Sequence, residues 1–161
     1  MSEQEATAKR ADVQAEGDLE IRIERVFDAP RDRVFAAMTD PELIPQWWGP
    51  RKYETRVDEM DVRPGGSWRF VHSGPDGEIG FRGTYREVTP PERIVQTFEW
   101  EGMPGHISVE TMEFDDLGNQ TRIRATSAFD TKEDRDGMLA SGMEGGLQET
   151  YERLDEVLAG S

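Results

Sequence analysis

The chain has 161 residues, 35% of them hydrophobic and 33% charged, with a formal net charge of −15 and no cysteine. This length suits one domain with a sizeable core, and the missing cysteine excludes disulfides, thiol nucleophiles and thiolate metal sites. So acidic a surface argues against nucleic-acid and anionic-membrane partners. The lack of any apolar run of about 18 residues argues against a membrane span, and the polar start Met1-Ser2-Glu3 against a secretory signal, so a cytoplasmic protein is expected.

Residues 1–17 hold no sustained apolar stripe and are expected to form a disordered tail, with the domain spanning 18–160. Leu19, Ile21 and Ile23 alternate with Glu20, Arg22 and Glu24, the period of a half-buried strand. A short helix follows, with Pro30 in its first turn, Asp32 near the positive end of its dipole, and Val34, Phe35 and Met38 as its apolar stripe. Asp40 and Pro41 then open a second short helix that runs into Pro45, Trp47 and Trp48.

A run of strands separated by turn residues comes next, beginning at 53–60. Trp68, Phe70 and His72 share one face, and Gly74-Pro75-Asp76-Gly77 turns the chain back. Phe81, Gly83 and Tyr85 face one way in the following strand. After Pro90-Pro91, the residues Ile94, Gln96, Phe98 and Trp100 do the same. Met112 and Phe114 precede a turn at 115–119, and Ile123, Ala125 and Ser127 alternate beyond it. Strict alternation also turns Glu110 inward. A buried glutamate without a partner is costly, so either it lies at an open end, or an arginine pairs with it, or the register slips there; the slip is the expectation. Short turns joining consecutive strands predict an antiparallel meander of about seven strands.

The last segment changes period. Thr131 with Asp134 is expected to cap a short helix, and Ser141 with Glu144 to form a capping box for the final one. Met143, Leu147, Tyr151, Leu154, Val157 and Leu158 form an apolar stripe opposite Glu149, Glu152, Asp155 and Glu156. One apolar sheet face needs a cover, and this helix is the element long enough to supply it. The predicted fold is α+β, a helix grip in which a curved antiparallel sheet wraps a long C-terminal helix, with an apolar void at the open end.

The order of segments resembles a known superfamily. A strand, the Ala29-Pro30 helix, Trp47-Trp48-Gly49-Pro50, Gly65-Gly66-Ser67-Trp68-Arg69-Phe70, Phe81-Arg82-Gly83-Thr84-Tyr85, Pro90-Pro91-Glu92-Arg93-Ile94 and Thr97-Phe98-Glu99-Trp100 together are similar to START-like (SRPBCC) proteins. Within them they resemble the branch named after the heat-shock-protein ATPase activator homologue domain, over about 19–159. The resemblance implies a helix-grip fold and binding or processing of an apolar small molecule, without implying the co-chaperone activity in the name. That branch usually carries Gly-Trp where this chain has Gly142-Met143, a softer wall for the cavity.

The cavity lining is expected from Trp47, Trp48, Trp68, Phe70, His72, Phe81, Tyr85, Gln96, Phe98, Trp100, Met112, Met143 and Leu147. Being adjacent, Trp47 and Trp48 cannot face the same way, so one is expected in the core and one at the cavity. His72 is either a satisfied buried histidine or a polar anchor with pH-dependent binding, and His106 lies in a loop read as a flexible rim. Gly145 and Gly146 either let the final helix approach the sheet or leave volume beside Met143. No metal site or cofactor is expected. The leading functional expectation is binding of a small hydrophobic molecule. The alternatives are a cyclase or dehydratase working through His72, Tyr85 and Glu110, and an interaction module docking a basic or chaperone-linked partner on its acidic faces. An edge strand could also pair in a homodimer.

Overall fold

In the computed structural model, which describes residues 10–160, the alternating segments become strands. They are β1 (Asp12–Glu16), β2 (Glu20–Phe27), β3 (Glu54–Met60), β4 (Ser67–Gly74), β5 (Gly77–Thr89), β6 (Arg93–Trp100), β7 (Ile107–Asp116) and β8 (Thr121–Ala128). The helices are α1 (Arg31–Thr39), α2 (Ile44–Trp47), α3 (Lys132–Ala140) and α4 (Met143–Gly160). One antiparallel sheet has the order β1-β2-β8-β7-β6-β5-β4-β3, and α4 lies against it as the gripped helix.

The meander holds from β3 to β8, but β2 pairs with β8 rather than β3. The connection through α1 and α2 therefore carries the chain from one side of the sheet to its far edge. Among the described residues the sheet has eight strands, because Asp12–Glu16 adds an edge strand within the segment expected to be a tail. Val13 and Ala15 pair with Ile23 and Ile21, a stripe too short to read as a strand. Distant partners hold it: the Gln148 amide of α4 accepts from the Ala11 N–H at 2.9 Å and donates to its carbonyl at 2.8 Å. The buried Arg135 of α3 donates to the Gly17 and Glu20 carbonyls at 2.8 and 3.0 Å, clamping the β1–β2 turn. Residues 1–9 of the expected tail lie outside the described residues.

The core sits where α1 and the C-terminal part of α4 meet the sheet, with Phe27, Val34, Ile123 and Leu154 fully enclosed. Arg25 is buried among them and is held by Asp155 of α4 through two hydrogen bonds of 2.6 and 2.5 Å. Much of the acidic stripe of α4 is likewise engaged within the fold. Glu149 accepts the Arg51 N–H at 2.5 Å and Glu156 pairs with the Arg51 guanidinium, so the expected acidic docking face is largely spent on intramolecular pairs.

Thr131 caps α3, accepting from the Asp134 N–H at 3.1 Å. The expected capping box at Ser141 does not form. Its hydroxyl donates back to the Met138 carbonyl at 2.6 Å and closes α3, while Gly142, at φ +83°, makes the left-handed turn between helices. Among the described residues no helix is long and apolar enough to cross a membrane.

Candidate functional site

Trp47 closes α2, and Trp48 after it is already extended (φ −72°, ψ 118°), so the backbone leaves the helix between the two tryptophans and sends them apart. Trp47 turns into the core, where its indole N–H donates to the Ala37 carbonyl at 2.9 Å. Trp48 turns the other way, over the sheet. Its ring centroid lies 4.9 Å from His72, 5.0 Å from Phe70, 5.3 Å from Phe81 and 6.4 Å from Trp68. Phe98 extends the cluster, 5.6 Å from Phe81, and Tyr53 stacks on His72 at 5.0 Å. The void expected over Trp68, Phe70 and Phe81 is thus occupied by the indole of Trp48. Gly49, at φ +93°, makes this entry possible, since a Cβ there would lie 2.4 Å from His72 Nε2.

His72 and Trp68 are buried, and each leaves a ring nitrogen, Nε2 and Nε1, without a hydrogen-bond partner among the described residues. Burial lowers the His72 pKa to about 4, helped by the nearby Arg153 charge and opposed by the Trp48 carbonyl. The ring is neutral at physiological pH, so a binding switch near neutrality does not reside at His72.

Next to the rings, the register aligns Tyr85 with Gln96, Gln96 with Glu110, Glu110 with Ser127, and Ser127 with Ile21. Cross-strand partners share a face, so this is one polar row across β5, β6, β7 and β8 on the side of the buried Ile21 and Tyr85. The register slip expected at Glu110 does not occur, and its side chain does turn inward. Among the described residues its hydrogen bond comes from the Ser127 hydroxyl at 3.3 Å. Burial pushes its carboxyl up to about 7, and the Ser127 bond opposes this only in part. Tyr151 of α4 faces the same region: burial raises its phenol pKa, the Glu110 charge raises it further, and Arg25 opposes both. The Tyr85 phenol is raised by burial and then by Asp61. Of the expected acid–base groups, only Glu110 therefore titrates near neutrality.

Cover over this face is uneven. Along α4, Tyr151, Leu154 and Leu158 are buried, whereas Met143 and Leu147 in its first turns are only partly so. On the sheet, Phe81, Gln96, Phe98, Glu110 and Ser127 are also only partly buried. A Cβ on Gly145 would meet nothing within 4 Å and one on Gly146 only the Pro50 side chain at 3.7 Å, so neither glycine serves a close helix–sheet approach. The wide void expected at this end is absent, and these side chains are left only partly covered. Three surface concavities, of about 100, 370 and 330 Å³, lie elsewhere and are not lined by the rings or the polar row.

The remaining expected lining residues fall apart from one another. Met112 packs beside the core, one row away from Glu110. Trp100 shares the face of Phe81 but is 42% exposed at the end of β6, beyond the cover. The His106 loop is pinned rather than free, with Nδ1 2.9 Å from the Asp134 carboxylate. Tyr53, Glu110, Ser127 and Tyr151 join the site without having been expected to line it. Strict alternation already turned Glu110 and Ser127 inward, and Tyr151 lay on the helix stripe; Tyr53 gave no signal. Among the described residues, no group of three or more histidine, aspartate or glutamate side chains could hold a metal ion.

Comparison with known proteins agrees with the fold. Residues 28–159 match the family described as Activator of Hsp90 ATPase homolog 1-like protein. Among solved structures, a protein from Arthrobacter aurescens is 26% identical with a TM-score of 0.85, covering 93% of this chain and 92% of its own. A protein from Rhodobacter sphaeroides is 25% identical with a TM-score of 0.88, covering 94% of this chain and 100% of its own. An uncharacterized protein of Schizosaccharomyces pombe is 27% identical over 99 residues, 61% of this chain; the match spans only 26% of that relative.

Proposed function

Because the chain belongs to the family of Activator of Hsp90 ATPase homolog 1-like proteins, in a helix-grip form, we propose that it binds a small, largely apolar molecule between the sheet and the first turns of α4. The observation that carries this reading is the uneven cover. Aromatic and polar side chains stand together on an inward face, yet Phe81, Gln96, Phe98 and Glu110 remain within reach of solvent. A pocket with apolar walls and a few convergent polar groups is the usual form of a small-molecule site. The ligand would enter beside Met143 and Leu147 and lie against Phe98 and Phe81, with the row from Tyr85 to Ser127 setting its orientation. Modest movement of Trp48 would enlarge the room available to it.

The test is a thermal-shift screen of lipids, polyketides and aromatic metabolites, joined to native mass spectrometry of the purified protein. Binding to the native state raises the melting temperature in proportion to the logarithm of ligand concentration over Kd. Reproducible stabilisation by one chemical class, lost in Phe98→Glu, is the expected result. No stabilisation and no co-purified molecule would refute the reading.

A further inference from the structure

Glu110, partly buried on the inward face, differs from the buried arginines of this fold. Arg25 is neutralised by Asp155, and Arg135 is satisfied by backbone carbonyls and Asp136. Glu110 receives one long hydrogen bond, from Ser127, which leaves most of its acceptor capacity unused. Gln96 and Ser127 flank it across the strands, Tyr85 lies beyond Gln96, and Tyr151 approaches from α4. Arg25 reaches the same region but is committed to Asp155. A carboxylate set among apolar walls without a counter-ion is costly, and the cost is removed when a cation arrives with the ligand.

We propose that the ligand carries a protonated amine on its apolar body, and that Glu110 is the counter-ion that receives it. This rests on the small-molecule reading above and specifies its chemical class. The ammonium would donate to the free carboxylate oxygen and to the Gln96 side-chain oxygen, while Phe98 and Phe81, next on the same face, offer ring surfaces that attract cations. The net charge of −15 draws cations toward the molecule and repels fatty acids and other anions. The carboxyl sits at about 7 because burial opposes its charge, so a bound ammonium would lower it, and amine binding should release protons near neutrality.

Three probes of equal chain length separate the possibilities: decylamine, decanol and decanoate, titrated into the full chain at about pH 8, above the Glu110 midpoint, with tryptophan fluorescence as the readout. Decylamine is expected to bind about tenfold more tightly than decanol, as one charge-assisted contact allows, and decanoate most weakly. In Glu110→Gln the amine should lose its advantage and bind no more tightly than the alcohol does to the same variant. In the wild type the preference should also shrink at about pH 5.5, where Glu110 is protonated. Equal binding of amine and alcohol, or an amine preference that persists in Glu110→Gln, overturns the counter-ion role and leaves the apolar site standing. Failure of all three probes to bind overturns both.

Discussion

Replacing Glu110 by glutamine should stabilise the protein at neutral and alkaline pH and leave it unchanged in acid. Burial raises the carboxyl from 4.5 in the unfolded chain to about 7 in the fold. The folded state therefore holds its proton more tightly, and this stability is fully present below pH 4.5 and is lost as pH rises through 7. At about 1.4 kcal/mol per unit the shift amounts to about 3 kcal/mol, a ceiling because Glu110 is only partly buried. Wild-type stability alone would hide the effect. His72 is lowered from 6.5 to about 4, so its contribution is present above 6.5 and lost as pH falls through 4. Between about pH 4.5 and 6.5 the two groups act in opposite directions. The informative quantity is the difference between Glu110→Gln and wild type, measured by urea unfolding at a series of pH values. It should lie near zero below pH 4.5 and grow to a plateau above pH 7. A difference that stays flat across that window would show that the carboxyl is not desolvated, and the account of the polar row would fail with it.

Three further outcomes follow from the packing. Arg25→Met should cost about 3–5 kcal/mol in chemical denaturation by leaving Asp155 without its partner, and adding Asp155→Leu should restore much of the loss. Trp48→Ala should cost about 3–5 kcal/mol and open space among Phe70, His72 and Phe81, seen as uptake of a small aromatic probe by the variant and not by wild type. Gly145→Ala, in a helical position where a methyl meets nothing within 4 Å, should gain about 1 kcal/mol; a loss would mean that α4 lies closer to the sheet than described.

The alternation of Ile21 with Arg22, or of Phe70 with Arg69, announces a strand because side chains on an extended backbone must point to opposite faces. The three- and four-residue spacing from Met143 to Leu158 announces a helix for the same kind of local reason. Those two periods, and the need of a one-sided sheet for a cover, made the grip legible before any coordinates. They also placed Tyr85, Gln96, Glu110 and Ser127 on inward faces of their own strands. What local periodicity does not carry is which strand neighbours which, since pairing joins residues far apart in the chain. β1 was missed because its partners Gln148 and Arg135 lie more than a hundred positions away, and Ser141 was misread because its hydroxyl turned back to Met138 rather than forward. The volume between sheet and helix is decided in the same way, by one indole. Whether Trp48 lines a space or fills it depends on a left-handed turn at Gly49 and on the position of His72, reached from another strand. Thus the residues by themselves determined the elements and their apolar faces. The tertiary structure alone joined the four polar positions into a row around an unpaired carboxylate, because only the sheet register brings them side by side.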